Sequence, residues 1–478
     1  MPTENEFVVA SNRGPITWEH DGDDLTPERG DGGLVTALGD AMEGGEGTWV
    51  SVALDDADLE VAAEHPDESF EADTPRGSYR IRYVDVGDRL DPHYNVVSNR
   101  LLWFTVHGLW GAPYQPEGDD WRDPWHYGYT AVNEAVAQAV VDEASDGAEI
   151  HLQDYHLLTA APTIRKALPD ASLLHYIHTP WVGPEYLQML PDTMVEAMMR
   201  SLLSCDLVGL SSPLWSRQFR RCAQEIMGAT LEGDAVVHDG RRTTVADFIL
   251  GIDPEVIAGE ADDDAVRAAG EQLDDQLEGR QLVLRADRSD LSKNILRGLL
   301  AVETMLAQHP EMVDRVHHMA LVKPSRQSVP EYAEYLDRCR QTAERIAERF
   351  GDHVITFSDE GDYPKVLAAM QRYDVLLTNP VVDGTNLVAK EGPTLNDNDG
   401  AVVLSRTAGA APVMSAGALM VNPYDVEQTA DRLTDALRMS PDERRSRSQT
   451  MKEAAARGRP SEWLEAQRHR LAAAVAGR

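Results

Sequence analysis

The sequence predicts an α/β protein of two doubly wound, Rossmann-like domains facing a cleft, and three observations carry the prediction. Short apolar runs recur along the 478 residues with segments of helical period between them, the pattern of a parallel sheet covered by helices on both faces. The runs fall into two groups, parted near Ile249-Leu-Gly-Ile-Asp-Pro254. Polar, glycine-bearing motifs follow several of the runs, at the carboxyl ends of strands where open α/β sheets take their ligands.

In the first group, Phe7-Val-Val-Ala10, Ile150-His-Leu152, Leu173-Leu-His-Tyr-Ile177 and Leu207-Val-Gly-Leu210 read as strands. In the second, Leu282-Val-Leu284, Met319-Ala-Leu-Val322, Val354-Ile-Thr-Phe357, Val375-Leu-Leu377, Val402-Val-Leu404 and Leu419-Met-Val421 do the same. Helical period marks residues 194–203 and 332–350. The expected division is 1–250 and 251–457, followed by a helix in 458–478 that returns to the N-terminal domain. That helix places Ser461 near its N-cap and Leu464, Leu471 and Val475 on one face.

Composition narrows the partners. There are 81 acidic against 44 basic residues, a formal net charge of -37, which argues against nucleic acid, because phosphate backbones demand cationic patches. Six lysines against 38 arginines and an acid-rich surface resemble proteins of salt-loving cytoplasms, where salt screens self-repulsion. The acidic runs Asp55-Asp-Ala-Asp58 and Asp262-Asp-Asp264 are expected in solvated loops. No apolar run is long enough for a membrane span, and the first residues lack the features of a signal peptide, so a cytoplasmic location is expected. Cys205, Cys222 and Cys339 are too widely spaced for a zinc site or disulfide framework and are expected as buried thiols. The partners are small molecules, with self-association left open.

Two motifs say most about chemistry. Arg288-Ser-Asp-Leu-Ser-Lys293 follows an apolar strand and sets two cations where the strand gives way to a turn, a placement suited to a diphosphate. Asp383-Gly-Thr-Asn-Leu-Val-Ala-Lys-Glu391 also follows a strand, so that a glycine turn leads into a helix. Its early N–H groups face phosphate, and Glu391 can accept from ribose hydroxyls. Taken singly, the cation pair is an ordinary solvated face and Asp-Gly an ordinary turn. Their shared position at strand ends reads as a nucleotide-sugar site.

The first half carries Ser11-Asn-Arg-Gly-Pro15 after its first strand and Gly30-Asp-Gly-Gly-Leu34 at the next helical stretch, where Gly33 would let the backbone approach a phosphate. Tyr94 and Trp103 are suited to stacking on a sugar face, although core packing explains either one alone. Gln153-Asp-Tyr-His156 and His178-Thr-Pro-Trp181 place polar residues at two further strand ends, where simple capping is the alternative.

In combination these motifs resemble the retaining GT-B glycosyltransferases of the trehalose-6-phosphate synthase family. SNR, GGL, YN…W, DYHL, H-x-P, R-x-D-x-S-K, PSR, DG-x-NLVAKE and LS-x-x-AGA occur in the family's order from Ser11 to Asp425. The resemblance implies an N-terminal acceptor-binding domain and a C-terminal nucleotide-sugar-binding domain. It implies Arg288 and Lys293 on the donor diphosphate, Glu391 on the ribose, Gly33 against the donor phosphates, and Asp383 with the backbone of Asn386, Leu387 and Val388 around the donor sugar and diphosphate. His178 would touch the transferred glucose and Asp154 the acceptor sugar. Arg13 and Arg326 would clamp the acceptor phosphate beside Tyr94 and Trp103. The implied reaction moves glucose from a nucleoside diphosphate to glucose 6-phosphate, giving trehalose 6-phosphate, with glycerol 3-phosphate as the alternative acceptor and a silent sugar-phosphate sensor as the non-enzymatic one. No cofactor and no obligatory metal are expected. The chain departs from the family pattern at Val52, where a second tryptophan is common, at Val382, where an arginine is common, and at Asn294, where glycine is usual.

Overall fold

The computed structural model describes residues 5–21, 24–30, 35, 38, 39, 42, 47–74, 77–112, 115, 116 and 121–477. They form two compact units, Met1–Leu250 with Pro460–Arg478, and Gly251–Arg459. The α/β fold class expected from the alternating runs is present in both.

The first unit holds β1 (Asn5–Ser11), β2 (Ile16–Asp21), β3 (Asp24–Arg29), β4 (Thr48–Val52), β5 (Phe70–Thr74), β6 (Gly77–Val84), β7 (Ala144–Gln153), β8 (Ser172–Ile177), β9 (Leu207–Leu210), β10 (Thr230–Glu232), β11 (Ala235–His238) and β12 (Arg241–Asp247). Ten of these build one sheet in the order β10-β11-β12-β9-β8-β7-β1-β4-β6-β5, and β2 and β3 pair apart as a hairpin. From β12 to β6 the neighbours run parallel, and only the pairs at the two edges are antiparallel. The strand order reverses between β1 and β7, so the crevice beyond their carboxyl ends is the place such a sheet offers a ligand.

The second unit holds β13 (Gln281–Arg288), β14 (Val316–Lys323), β15 (Ile355–Ser358), β16 (Val375–Thr378), β17 (Ala401–Ser405) and β18 (Leu419–Val421). All are parallel, in the order β15-β14-β13-β16-β17-β18. This is the nucleotide-binding order, with its reversal between β13 and β16. Leu282, Leu284 and Leu376 pack on one face of the sheet and Val283, Val375 and Leu377 on the other. Burial on both faces is why these strands read as continuous apolar runs rather than alternating ones.

The helix Pro460–Ala476 belongs to the first unit. Its Leu471 is buried with Leu174 and Leu207, and Val475 packs against them. Trp463, 2% exposed, meets Tyr176 edge-on with ring centroids 4.9 Å apart.

Two expectations need correction. Asp55-Asp-Ala-Asp58 does not form a loop: Asp55 caps the helix Asp56–Glu64, and Asp58 is buried, its carboxylate accepting the Leu54 N–H at 2.9 Å. Likewise Asp263 caps the helix Asp264–Leu277 by accepting from the Ala265 N–H. Aspartates suit helix starts because their oxygens satisfy first-turn donors and face the positive end of the dipole. All three cysteines are buried free thiols. Among the described residues no helix is long and apolar enough to cross a membrane.

Candidate active site

The two strands that flank the reversal in the second unit carry the two motifs singled out in the sequence. Arg288 ends β13, and Lys293 follows in the short turn Leu291–Lys293. Asp383 follows β16, and the helix Val388–Leu395 begins five residues later. The loops meet through charge, with the Lys293 ammonium donating to the Asp383 carboxylate. Asn386 donates to the same carboxylate oxygen at 3.1 Å and accepts from the Ala389 N–H with its side-chain oxygen, which caps the helix start. Burial disfavours the Lys293 charge, but the carboxylates of Asp383 and Asp287 outweigh it and hold the ammonium above its ordinary value.

Beneath this pair lies a buried polar layer that the sequence reading missed. Arg285, with 0% side-chain exposure, pairs with Asp287 at 2.6 Å. The same guanidinium donates to the Lys293 carbonyl at 3.2 Å and to the Asn379 side chain. Burial lifts Asp287 to about 6 against the pull of Arg285 and Lys293. The signal was an arginine inside an otherwise apolar strand, Leu282-Val-Leu-Arg285.

Asn294, which replaces the usual glycine, has a left-handed backbone with φ of 60°, a conformation asparagine tolerates better than most residues. Its amide donates to the carbonyls of Asn379 and Pro423 at 2.8 and 2.7 Å. The substitution therefore ties the Lys293 turn to two other strand ends.

Glu391 sits in the first turn of its helix, behind the carbonyl of Leu387, which accepts its N–H at 2.9 Å. Burial, helped by the charge of Glu260, pushes its carboxyl up to about 7, with Lys293 opposing. Val388 opens the same helix. Lys390, in the same helix, is buried and pushed down to about 8. Arg288 differs from Lys293 in being half-exposed, with its guanidinium 2.7 Å from Asp290. Arg326, beyond β14, is held at φ of 49° and donates to the Tyr332 hydroxyl at 2.8 Å.

The first unit positions its candidates with hydrogen bonds and rings. The Ser11-Asn-Arg turn is anchored by the Trp49 indole donating to the Ser11 hydroxyl at 2.7 Å, and by a 2.9 Å contact between the His93 ring and the Asn12 side chain. Arg13 itself is exposed, with its charge acting on Asp58. Across the reversal, Asp154 follows β7 at φ of 66°, and its carbonyl lies 2.9 Å from the His175 ring. Its carboxylate accepts the His178 N–H at 3.2 Å. The His178 ring lies 3.0 Å from the Gln153 side-chain oxygen. Burial, with the charge of His175, pulls His178 down to about 3, so its imidazole is neutral at any working pH.

Tyr94 stacks on His156, centroids 5.9 Å apart, while Trp103 lies edge-on to Tyr155 at 5.7 Å and stacks on His107 at 3.9 Å. Both aromatics thus converge on the Asp154-Tyr-His turn, with Trp103 buried among its neighbours. Gly33 lies outside the described residues. Among the described residues, no group of three or more His, Cys, Asp or Glu side chains is arranged to hold a metal ion.

Among the described residues, four of the eight non-glycine residues with positive φ, Asp154, Asn294, Arg326 and Asn386, lie in these strand-end motifs. Unfavourable backbone of this kind persists where the surrounding structure fixes it, commonly at ligand sites.

The chain is 30% identical over 456 residues to the UDP-forming alpha,alpha-trehalose-phosphate synthase of Botryotinia fuckeliana, covering 92% of this chain and 83% of that protein. It is 26% identical to the validamine 7-phosphate valienyltransferase of Streptomyces hygroscopicus subsp. jinggangensis, covering 100% of this chain and 96% of that one. The solved structure of a UDP-forming alpha,alpha-trehalose-phosphate synthase from Burkholderia vietnamiensis superposes with a TM-score of 0.83 at 26% identity, covering 100% and 99% of the two chains. The model of Glycosyltransferase family 20 matches residues 5–473, and the chain belongs to that family.

Proposed function

We propose that the protein transfers glucose, with retention, from UDP-glucose to glucose 6-phosphate, giving trehalose 6-phosphate. The observation that carries this reading is the Lys293, Asp383 and Asn386 cluster at the strand-order reversal of the second unit, in a chain of this family. The UDP-forming relative supports uridine as the donor base. The valienyltransferase, named for a phosphorylated acceptor, supports a phosphate on the acceptor.

In this reading the cations do the chemical work. The C1–O bond to the leaving diphosphate breaks as the acceptor hydroxyl bonds to C1 on the same face, and the hydroxyl proton passes to the departing phosphate oxygen. Arg288 and Lys293 stabilise the charge that grows on the diphosphate, the preorganised electrostatic effect that dominates many enzymes. Asp383 is engaged by Lys293 and Asn386. It orients the ammonium and the donor sugar and does not act as a nucleophile. Asn386, Leu387 and Val388 present the helix start to the donor, and Glu391 takes the ribose hydroxyls. Arg13, Tyr94, Trp103, Asp154 and Arg326 serve the acceptor, and neutral His178 serves the transferred glucose. A side-chain cation in place of a divalent ion makes a metal unnecessary.

The test is a product assay that crosses UDP-, GDP- and ADP-glucose with glucose 6-phosphate, glycerol 3-phosphate and free glucose, in excess chelator. Trehalose 6-phosphate from UDP-glucose is the expected product. Equal use of free glucose, or activity only with added manganese, overturns the reading.

The acidic, lysine-poor composition supports a cytoplasmic enzyme of a salt-adapted cell, making the precursor of a compatible solute. Its melting temperature should then rise from dilute buffer to molar potassium chloride as self-repulsion is screened. A flat dependence removes the salt adaptation but leaves the reaction standing.

A further inference from the structure

We infer that Asp290 is a positioning residue, one buried carboxylate that orients both the donor-diphosphate arginine Arg288 and the acceptor-phosphate arginine Arg326. The inference rests on the roles proposed above for those two arginines and adds the group that holds them. Asp290 has 0% side-chain exposure, with Arg288 Nη2 2.7 Å from one carboxylate oxygen and Arg326 Nη1 3.7 Å from the other. A buried carboxylate must be matched by positive charge. Here the matching cations are the two that would otherwise meet phosphate.

The backbone supports the same linkage. β13 and β14 are parallel neighbours with Arg288 in register with Lys323. Beyond them, the Ser289 N–H donates to the Lys323 carbonyl at 2.9 Å. The Ser289 hydroxyl accepts the Ser325 N–H at 2.8 Å and the Gln327 amide at 3.3 Å. The turn carrying Arg288 and the loop carrying Arg326 are therefore stitched twice, once through Ser289 and once through Asp290. Arg326 also donates to the Tyr332 hydroxyl at 2.8 Å and lies over that ring at 5.6 Å, so Asp290 and Tyr332 share the task of aiming its guanidinium. Without the carboxylate, two guanidinium groups on adjacent loops lose their common counter-ion and their aim.

The consequence is that one substitution should weaken two substrates. Asp290→Asn is expected to raise KM for the nucleotide-sugar and for glucose 6-phosphate by about fivefold or more each, the scale of one charge-assisted contact. Transfer to free glucose, which has no phosphate for Arg326, should change only through the donor.

A double-mutant cycle separates this from loss of packing. In the native background Arg326→Ala should raise acceptor KM by about tenfold, and in the Asp290→Asn background by about threefold or less, because Arg326 is already misplaced. The full tenfold cost in both backgrounds overturns the role of Asp290 and leaves the acceptor clamp intact. No cost of Arg326→Ala in the native enzyme overturns the clamp and the inference with it. If circular dichroism shows Asp290→Asn unfolded, Asp290→Glu serves in the same cycle, since it keeps the charge and moves it by one methylene. Two unchanged KM values in a folded Asp290→Glu variant overturn the inference equally.

Discussion

The strand-end loops of the two units solve different problems with different physics. In the second unit the candidate side chains are held by ions: Lys293 on Asp383, Arg285 on Asp287, Arg288 and Arg326 near Asp290. In the first unit they are held mainly by neutral hydrogen bonds and rings: Ser11 by Trp49, Asn12 by His93, His178 beside Gln153, Tyr94 on His156. In the proposed reaction the difference follows the charge that each set of groups meets, the acceptor phosphate being left to Arg13 and Arg326. A leaving diphosphate gathers negative charge as the bond breaks, whereas a hexose ring carries none and is recognised by shape and hydroxyl direction. Fixed cations suit the first and preorganised neutral groups the second.

The sharpest way to break this comparison is at Lys293. Lys293→Ala removes the ammonium and takes from Asp383 the charge of Lys293, so transfer should fall by roughly a hundredfold or more, the cost of one preorganised contact to developing charge. Lys293→Ala with Asp383→Asn separates the two effects: stability should return towards native while activity stays lost. Near-native turnover in a folded Lys293→Ala enzyme would show that the diphosphate is gripped elsewhere.

His178 is the matched test in the first unit. Its imidazole is neutral, with a pKa pulled down to about 3 by burial and His175, so it supplies direction rather than charge. His178→Ala should cost about tenfold in kcat/KM, the scale of one neutral hydrogen bond plus lost packing. No limb of the pH–rate profile between pH 5 and 9 should belong to it. A hundredfold loss, or a pH limb that vanishes in the variant, would mean that His178 carries charge and that the two units are not so different.

Burial decides which elements are legible in the amino-acid sequence. Parallel strands buried on both faces announce themselves as apolar runs, which is why β1, β7, β8, β9 and the second unit's strands were visible, and with them the strand ends where Arg288, Asp383, Asp154 and His178 stand. Edge strands do not, since Phe70-Glu-Ala-Asp-Thr74 and Thr230-Leu-Glu232 carry the polar residues that solvent requires and look like loops. Asp55 and Asp263 were hidden for the opposite reason, because capping uses the residues that solvated loops use. The supporting layer was harder still. Nothing in the spacing of Arg288 and Lys293 reveals that Asp290 between them is buried, or that Asn294 spends its amide on two carbonyls from distant strand ends. Those are tertiary facts, although Arg285 within an apolar strand was a visible sign that something beneath the site needed charge.

The smallest effect is expected at Glu391, and it tests whether the ion-rich unit is tuned as well as charged. Burial, with Glu260 nearby, raises its carboxyl to about 7 against the opposing charge of Lys293, whereas in the unfolded chain it ionises near the ordinary value of about 4.3. A raised folded-state pKa means that Glu391 contributes stability fully below the unfolded value and loses that contribution as pH rises through about 7. Ribose hydroxyls bind the ionised form better, because a carboxylate accepts and does not donate. Function and stability should therefore run in opposite directions across neutral pH. The kcat/KM for the donor should climb severalfold between pH 6 and 8 in the native enzyme and stay flat in Glu391→Gln, while above pH 7 the glutamine variant should melt higher than native. Parallel pH profiles for the two enzymes, or a glutamine variant less stable at pH 8, would place Glu391 outside the ribose contact and leave its burial a purely structural matter.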